Sequence, residues 1–539
     1  MNETVLQLEE LTIALPPGAD RANAVSDIDL TLRAGKVTCL IGESGSGKSL
    51  VARAILGLLP GPHVRIGSGR ILFEGQDLAH APQDKMRGIR GAKIGMIFQE
   101  PMTALNPLHT IGRQLDEVLR IHTSLGKAAR RARVCEVIDS VHLPEPVRII
   151  GSYPHQLSGG QRQRAMIAMA LLLKPRLLIA DEPTTALDVT TQAQILYLIR
   201  ELQREHGTSV LFITHDFGVV ADVADEVAVL RRGTLVERGT AAAVLGAPSH
   251  SYTRALIAAV PKLMPPAAQV ANTQPFIVQA RDVAKTYGGR GLFGGRRVTQ
   301  ALAGVTVELR RGETLGLVGE SGSGKSTLAR AITRLMPIDG GEIRLGGEDI
   351  AQFSRRQLRP IRKRVQMVFQ DPYASLDPRQ RIIDIIAEGP IIHGTPPAKA
   401  REEAQALLDL VGLDRSAARR FPHEFSGGQR QRIGIARALA LHPEVLVADE
   451  PVSALDVSVQ ARVLTLLADI KARLHLSMLF VTHDLRVALQ ICDRIAVMKQ
   501  GEVVEVAPTA EIFFNPQHSY TKALFAAVPG GNWQNRKAS

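Results

Sequence analysis

One stretch of eight residues, GESGSGKS, occurs twice in the chain, at 42–49 and at 319–326. It fits the pattern G-x-x-x-x-G-K-[ST], in which glycines let successive backbone N–H groups point at phosphate oxygens. The lysine of this pattern reaches the β- and γ-phosphates, and the serine hydroxyl can hold Mg²⁺. A glycine-rich turn is the alternative, but two identical copies, each between an apolar stretch and an amphipathic stretch, argue against it. The candidate phosphate-binding residues are Gly42, Ser44, Gly45, Gly47, Lys48 and Ser49, and again Gly319, Ser321, Gly322, Gly324, Lys325 and Ser326.

A pair of carboxylates follows an apolar stretch in each half of the chain. The segment LLIADEP contains Asp181 and Glu182, and VLVADEP contains Asp449 and Glu450. An aspartate at the end of a buried strand suits Mg²⁺, and the adjacent glutamate is placed to polarise an attacking water. A carboxylate pair at the start of a helix is the alternative, and the phosphate loop upstream disfavours it. We therefore predict Glu182 and Glu450 as general bases.

Histidine and glutamine occupy two further strand ends in both halves. FITHD and FVTHD place His215 and His483 after an apolar strand, and MIFQEP and MVFQDP do the same for Gln99 and Gln370. A single histidine is usually structural, but one at the same strand end in both halves favours a contact with the γ-phosphate. A glutamine amide can reach Mg²⁺ or water. The candidate magnesium ligands are Ser49, Gln99 and Asp181 in the first half, and Ser326, Gln370 and Asp449 in the second.

The motif SGGQRQR predicts a second anion-binding helix terminus in each half. Ser158 and Ser426 are typical N-cap residues, and the glycines after them leave backbone donors exposed. The phosphate loop of each half already binds the nucleotide of that half. We therefore predict that the helix terminus of the SGGQ motif binds the nucleotide of the other half. The candidate residues are Ser158, Gly159, Gly160 and Gln161, and Ser426, Gly427, Gly428 and Gln429.

The elements that position these residues are duplicated along the chain. SGGQRQR, ADEP, THD and HSYT each recur at an offset of 268 residues, whereas the phosphate loops differ by 277. The chain is therefore a tandem duplication, and the nine extra residues of the first half belong in surface loops. We predict a first domain at 1–262, a linker at 263–275 and a second domain at 276–539. Short apolar strands alternate with helical patterns, which indicates an α/β fold whose parallel sheet is covered by helices.

Composition narrows the class of protein. The chain has 539 residues, of which 45 % are hydrophobic, and no apolar run approaches the roughly 18 residues that a membrane span needs. No secretory signal is visible, and the three cysteines are far apart, which suits a reducing cytoplasm. The net charge of +12 could attract nucleic acid or an anionic membrane. A solvated basic face is the simpler interpretation, because no aromatic residues interleave with the arginines.

Taken in order, these motifs resemble those of ABC transporter ATP-binding subunits with two fused nucleotide-binding domains. The two ALD segments, with Asp188 and Asp456, match the D-loops of that family. The resemblance implies two ABC-type P-loop domains, each with a RecA-like core sheet, an antiparallel β part and a helical signature subdomain. It also implies ATP and Mg²⁺, with each ATP held between the phosphate loop of one domain and the signature of the other. Intramolecular pairing of the two domains would then give two composite sites.

A narrower resemblance concerns the oligopeptide, dipeptide and nickel importer ATPases. FQEPMTALNPL, FQDPYASLDPR and the two HSYT segments are similar to theirs, and the fused pair most resembles the microcin C and peptide importer type. This resemblance implies two transmembrane permease subunits, a periplasmic or extracellular substrate-binding protein, and a peripheral position on the cytoplasmic face of the inner membrane. No iron–sulfur cluster and no nucleic acid are expected. A tandem ATPase acting on ribosomes or nucleic acid is the alternative, which the short proline-bearing linker disfavours.

Two further expectations concern the stacking of adenine, which differs between the halves, and the surface that contacts a permease. Relatives stack adenine on an aromatic residue, which Tyr287 matches, whereas Leu15 stands at the aligned position of the first half. The apolar residues after each strand-end glutamine, Met102, Leu105, Tyr373 and Leu376, could be buried or could line a groove for a permease helix. We predict the groove, with Leu105 and Leu376 as its test positions.

Overall fold

The structure is a computed structural model that describes residues 3–185, 187–265, 272–288, 299–453, 455–531 and 533. The chain divides into two compact units. The first comprises Met1–Leu187, Thr191–Val260 and Pro529–Ser539, and the second comprises Asp188–Thr190 and Pro261–Val528. Residues 266–271 of the predicted linker lie outside the described residues, so the linker bounds stay a prediction.

The strands of the first half form two sheets. They are β1 (Thr4–Ala14), β2 (Asn23–Arg33), β3 (Val37–Ile41), β4 (Arg65–Phe73), β5 (Gln76–Asp77), β6 (Ile94–Ile97), β7 (Leu177–Asp181), β8 (Ser209–Thr214), β9 (Glu226–Arg231) and β10 (Thr234–Thr240). In the described part of this half, β2-β1-β4-β5 is an antiparallel sheet, and β10-β9-β3-β8-β7-β6 is parallel except for the edge strand β10. The order agrees with the α/β fold that the alternating pattern predicts.

The helices of the first half cover the parallel sheet and build a separate helical part. They are α1 (Lys48–Ile55), α2 (Gln83–Ile89), α3 (Pro101–Ala104), α4 (Ile111–His122), α5 (Lys127–Ser140), α6 (Pro146–Gly151), α7 (Gly159–Leu171), α8 (Val189–His206), α9 (Phe217–Val223), α10 (Ala241–Gly246) and α11 (Ser251–Ala259), with a 3₁₀ turn at Pro154–Gln156. Helices α4, α5, α6 and α7 pack together as the helical part that carries the SGGQ motif.

The second half repeats this arrangement. Its strands are β11 (Phe276–Tyr287), β12 (Thr299–Arg310), β13 (Thr314–Val318), β14 (Gly340–Leu345), β15 (Glu348–Asp349), β16 (Val365–Val368), β17 (Val445–Asp449), β18 (Ser477–Thr482), β19 (Arg494–Lys499) and β20 (Glu502–Pro508). The sheet orders are β12-β11-β14-β15 and β16-β17-β18-β13-β19-β20. Its helices are α12 (Lys325–Ile332), α13 (Arg355–Arg364), α14 (Pro372–Ser375), α15 (Ile382–Ile392), α16 (Pro397–Leu410), α17 (Gly427–Leu439), α18 (Val457–Leu474), α19 (Leu485–Ile491), α20 (Thr509–Phe514) and α21 (Ser519–Ala526), with 3₁₀ turns at Arg415–Arg419 and Pro422–Glu424.

Burial explains why the short apolar stretches form central strands. Every residue of β3, β7 and β8 is buried, which is typical of parallel strands covered on both faces. One core of the first half joins Leu8 and Ile28 of the antiparallel sheet to Leu40 and Ile213 of the parallel sheet. Because the carboxyl ends of neighbouring parallel strands meet at one edge, this packing brings the polar residues after β3, β7 and β8 together.

Candidate active site

The phosphate loop joins β3 to α1 in the first half and β13 to α12 in the second. The last glycine of the loop, Gly47 or Gly324, has φ of 106° or 104°, in the left-handed region. A methyl group on Gly47 would lie 2.8 Å from the carbonyl oxygen of Ala24, and one on Gly324 would lie 2.4 Å from that of Ala301. The predicted requirement for glycine therefore has two local causes, the backbone angle and the close approach of a neighbouring strand.

The lysine of each loop is buried and bonds to its own loop. Lys48 Nζ donates to the carbonyl oxygens of Gly42 at 2.8 Å and Glu43 at 2.9 Å. Lys325 Nζ donates in the same way to Gly319 and Glu320. Burial lowers the pKa of Lys325, although neighbouring carboxylates act in the opposite direction. An ammonium group held inside the loop is placed to meet the phosphates of a nucleotide.

The serine after each lysine lies beside the predicted magnesium aspartate. Ser49 Oγ donates to Asp181 Oδ1 at 2.9 Å, and Ser326 Oγ donates to Asp449 Oδ1 at 3.0 Å. Burial raises the pKa of both aspartates, and the neighbouring glutamate adds to this, while the serine hydrogen bond opposes it. Paired hydroxyl and carboxylate oxygens are what Mg²⁺ prefers, and a divalent cation would stabilise a buried negative charge.

The residues therefore fit Mg²⁺ bound together with nucleotide phosphates. Among the described residues, no group of three or more His, Cys, Asp or Glu side chains is placed to hold a metal by itself. Mg²⁺ is commonly held by one or two protein ligands plus substrate phosphates, which agrees with the serine and aspartate pair. Gln99 and Gln370 are not bonded to that pair, so their role as magnesium ligands stays a prediction.

The predicted general bases lie in a hydrogen-bonded cluster with the strand-end glutamine and histidine. Gln99 Nε2 donates to Glu182 Oε2 at 3.0 Å, and His215 Nδ1 lies 3.2 Å from Glu182 Oε1. In the second half, Gln370 Nε2 donates to Glu450 at 2.8 Å and His483 lies 3.2 Å away. The sequence predicted each of these residues, and the structure brings them together within each half.

Electrostatics keep this cluster charged. Burial raises the pKa of Glu182, but the hydrogen bond and charge of His215, with the charge of Lys48, outweigh it, and the net shift is downward. For His215, burial lowers the pKa, and the carboxylate of Glu182 outweighs burial to raise it. Glu450 and His483 shift in the same directions for the same reasons. A glutamate that is ionised at neutral pH can accept a proton from water.

The two glutamates also have an uncommon backbone. Their φ angles are 47° and 46°, in the left-handed region that non-glycine residues rarely adopt. The backbone N–H of Glu182 donates to the carbonyl oxygen of Ile213 at 2.9 Å, and that of Glu450 donates to Val481 at the same distance. These bonds attach each glutamate to the adjacent strand, and its carboxylate lies 3.2 Å from the histidine that directly follows that strand. Strain of this kind is often concentrated at functional sites.

Each signature motif is a capped helix start, as predicted. Ser158 Oγ accepts from the backbone N–H of Gln161 at 3.3 Å, and Gln161 Oε1 accepts from the N–H of Ser158 at 3.1 Å. Ser426 and Gln429 form the same capping box at 3.4 and 3.0 Å. The glutamine side chains thus serve the cap of their own helix, and their contact with a nucleotide stays a prediction.

The predicted adenine positions differ between the halves. Tyr287 ends β11 with 45 % of its surface exposed, whereas Leu15 packs against the core of the first half. Sequence reasoning missed Arg21, which lies in the turn between β1 and β2 and donates through Nη2 to the carbonyl oxygen of Gly45 at 2.6 Å. It also missed Thr185, whose hydroxyl donates to Glu182 Oε2 at 3.0 Å. Arg21 lies outside the repeated motifs. Thr185 has a counterpart in Ser453, which also bonds the glutamate three residues before it, so the hydroxyl shared by both halves was a signal that sequence reasoning overlooked.

The prediction that Leu105 and Leu376 line a groove is wrong. Both are buried, at 2 % and 3 % exposure, because each follows a one-turn helix and turns inward. Met102 and Tyr373, which lie on those one-turn helices, are 50 % and 61 % exposed. The apolar residues that these segments expose therefore include Met102 and Tyr373, together with Leu108.

Two protein-family models each match a segment in both halves of the chain. The ABC transporter family model matches residues 25–185 and 302–453. The model described as "Oligopeptide/dipeptide transporter, C-terminal region" matches 236–290 and 504–538. Among the described residues, no helix combines the length and apolar content that crossing a bilayer requires.

Three similar proteins match along nearly their whole length. A peptidoglycan transport ATP-binding protein of Agrobacterium fabrum, YejF, is 49 % identical over 532 residues, which are 98 % of this chain and 96 % of the relative. An ABC transporter ATP-binding protein of Escherichia coli, also YejF and described as uncharacterized, is 46 % identical over 98 % of this chain and 100 % of the relative. The glutathione import ATP-binding protein GsiA of E. coli is 46 % identical over 97 % of this chain and 89 % of the relative.

These matches confirm the resemblance that the motifs indicated, the tandem α/β fold and the assignment of ATP hydrolysis. Each half has a phosphate loop, a serine and aspartate pair, and a glutamate, glutamine and histidine cluster, as an ATPase needs. The chain therefore belongs to the ABC transporter family, as an ATP-hydrolysing subunit with two ATP-binding domains in tandem.

Proposed function

We propose that the chain is the energy-coupling subunit of a binding-protein-dependent importer of peptides or peptide-like compounds. The observation that carries this proposal is the match of both halves to the C-terminal region of oligopeptide and dipeptide transporters. The relatives named for peptidoglycan transport and glutathione import support it, since both of those compounds contain peptide-type bonds.

In this proposal, hydrolysis depends on the residues around each ATP. Lys48 and Lys325 bind the β- and γ-phosphates, and Glu182 and Glu450 accept a proton from the attacking water. When bound, Mg²⁺ supplies a charge that neutralises the phosphate oxygens, and the hydroxyl and carboxylate oxygens of the serine and aspartate pair would hold it. His215 and His483 hold the glutamates in position and extend toward the γ-phosphate.

We further propose that each ATP is shared between the halves. Site one would combine Lys48, Ser49, Gln99, Asp181, Glu182 and His215 with Ser426, Gly427, Gly428 and Gln429. Site two would combine Lys325, Ser326, Gln370, Asp449, Glu450 and His483 with Ser158, Gly159, Gly160 and Gln161. Capped helix starts whose serines, Ser158 and Ser426, are exposed support this role, since helix N-termini bind anions.

A cross-linking experiment tests the pairing. Cysteines at Ser44, in the phosphate loop of the first half, and at Gln429, in the signature motif of the second half, should cross-link within one chain when ATP is bound. A matched variant with cysteines at Ser44 and Gln161 should not. In monomeric protein, a cross-link between positions 44 and 161 and none between positions 44 and 429 would refute the pairing. That result would not affect the assignment of ATP hydrolysis.

The importer proposal needs partners that cross the membrane. We propose two permease subunits, bound through the segments that expose Met102 and Tyr373, with a substrate-binding protein acting through them. The chain would then lie peripherally on the cytoplasmic face of the inner membrane. Met102→Asp and Tyr373→Asp should reduce co-purification of the permeases at least fivefold and leave ATP hydrolysis within twofold of the parent chain. Tyr197→Asp, which changes an exposed apolar residue on α8, is the matched control.

Co-purification also separates this function from the alternative. Capture of two hydrophobic membrane proteins supports the importer. Capture of ribosomes, or stimulation of ATP hydrolysis by RNA or DNA, would instead support a non-transport ATPase that uses the basic charge of the chain.

A further inference from the structure

A tyrosine outside the ATP-binding motifs contacts the phosphate loop in each half. The hydroxyl of Tyr252, on α11, accepts a hydrogen bond from the backbone N–H of Glu43 at 3.3 Å and donates to Glu43 Oε2 at 3.2 Å. The hydroxyl of Tyr520, on α21, accepts from the backbone N–H of Glu320 at 3.2 Å. Glu43 and Glu320 directly follow the first glycine of their loops. The same contact thus forms independently in both halves.

Each tyrosine is held in a defined environment. The guanidinium of Arg231, at the end of β9, lies 4.9 Å from the ring centroid of Tyr252, and the ammonium of Lys499, at the end of β19, lies 4.8 Å from that of Tyr520. Burial raises the pKa of each tyrosine to about 12. The hydroxyl therefore stays neutral at physiological pH and keeps both its donor and its acceptor capacity.

The helix that carries each tyrosine is anchored at its start. Glu237 of β10 accepts hydrogen bonds from the backbone N–H groups of Ser249 at 2.6 Å and His250 at 3.2 Å. Glu505 of β20 does the same for Gln517 and His518. The Nδ1 atom of His250 then accepts from the N–H of Tyr252 at 3.1 Å, and the His518 and Tyr520 pair repeats this contact. The tyrosine thus approaches the loop from a fixed base.

The part of the loop that the tyrosine contacts is also the part that holds the phosphate-binding lysine. Lys48 Nζ donates to the carbonyl oxygens of Gly42 and Glu43. These two carbonyl groups lie on either side of the Glu43 N–H that donates to Tyr252. Lys325, Gly319, Glu320 and Tyr520 are arranged in the same way. We infer that Tyr252 and Tyr520 are positioning residues, which fix the first turn of each phosphate loop and thereby present the lysine to ATP. The HSYT segments of the transporter C-terminal region would then tune the affinity for ATP.

Removing the hydroxyl tests this inference, which rests on ATP binding at the two loops. A neutral hydrogen bond contributes about 2- to 12-fold to an equilibrium constant, and a loop that binds ground state and transition state alike affects KM rather than kcat. In the full-length chain, Tyr252→Phe with Tyr520→Phe should raise KM for MgATP and Kd for MgADP by about 2- to 12-fold. The value of kcat should stay within twofold, and Tyr197→Phe, on the exposed face of α8, should match the parent chain.

Loosening the anchor gives a second route to the same result. Glu237→Gln with Glu505→Gln leaves the hydroxyls in place and should raise KM in the same direction. A folded Tyr252→Phe, Tyr520→Phe chain with unchanged KM, or with only a lower melting temperature, would overturn the inference. If the double tyrosine variant does not fold, the Glu237→Gln, Glu505→Gln chain provides the test. An unchanged KM for MgATP in that chain would also overturn the inference. Failure of the parent chain to bind ATP would refute the ATP sites themselves.

Discussion

The second glycine of each SGGQ motif packs against the helix that follows the predicted general base, Glu182 or Glu450. A methyl group on Gly160 would lie 2.8 Å from Thr191 Cγ2, and one on Gly428 would lie 2.2 Å from Val459 Cγ1. Both neighbours are β-branched and cannot swing away cheaply. Gly160→Ala and Gly428→Ala should therefore destabilise their units, and the shorter contact makes the second substitution the more severe.

The first glycine of each motif has a different environment. Among the described residues, nothing lies within 4 Å of a methyl group on Gly159, and one on Gly427 would meet only Leu455 Cδ2 at 3.8 Å. Alanine there removes the conformational freedom of glycine at the start of a helix, a gain of roughly 0.5–1 kcal/mol. If the exposed helix start binds the γ-phosphate, as we propose, the methyl group should obstruct ATP while the protein becomes slightly more stable.

The magnitudes follow from these contacts. Overpacking a well-packed site costs about 1–3 kcal/mol, and the helix gain offsets up to about 1 kcal/mol of it. For a unit of this size, 1 kcal/mol corresponds to about 2–4 °C in melting temperature. The 2.2 Å contact puts Gly428→Ala in the upper part of that range, about 2–3 kcal/mol, so it should lower the melting temperature by about 2–12 °C. Gly160→Ala should lower it by less, and Gly159→Ala and Gly427→Ala should raise it by up to about 4 °C.

Thermal unfolding and phosphate release, measured on the same samples, separate the two effects. Val459→Ala removes the atom that clashes in Gly428→Ala and should restore its stability, and Thr191→Ser should do so for Gly160→Ala. A Gly428→Ala chain as stable as the parent would refute the packing argument. Gly159→Ala hydrolysing ATP at the parental rate would refute a role for that helix start in binding the nucleotide.

Three other substitutions test the chemistry. Glu182→Gln with Glu450→Gln should retain ATP binding and lower turnover by about 10²–10⁴, the usual size of a general-base effect, in a phosphate-release assay. Replacing His215 and His483 with Gln should remove the stability that each histidine gains from its glutamate. The histidine contribution is fully present below the unfolded pKa of 6.5 and is lost as the pH rises through the raised folded pKa, whereas the glutamate contribution is present above 4.5 and is lost as the pH falls through the lowered folded pKa. Melting temperatures of parent and variant from pH 4 to 9 check both pH dependences. Tyr287→Ala should weaken ATP binding about fivefold or more in equilibrium titrations, since stacking a base on an aromatic ring is worth about 1–3 kcal/mol.

The sequence predicts those features that depend on local pattern. Continuous apolar runs such as VTCLI and SVLFIT become buried parallel strands because both faces are covered. Ser158 and Ser426 cap helices because their side chains satisfy the orphan N–H groups of the first turn. The polar residues after these strands meet because parallel strands end at the same edge of the sheet.

Features that depend on tertiary packing were not accessible in this way. Leu105 and Leu376 follow short turns without any periodic pattern, so the inward direction of their side chains could not be inferred. Tyr252 contacts Glu43 across 209 residues of sequence, and only the packing of α11 brings them together. Sequence reasoning also missed the contact between Gly428 and Val459, because it attributed both signature glycines to the nucleotide alone.

Uptake by a reconstituted assembly tests the central claim most directly. The chain would be purified with its permeases, placed in proteoliposomes with ATP on its own side, and supplied with a labelled peptide and the substrate-binding protein on the other. We predict peptide accumulation that requires the binding protein and is lost in the Glu182→Gln, Glu450→Gln chain. Normal ATP hydrolysis without permease association or peptide accumulation would contradict the account.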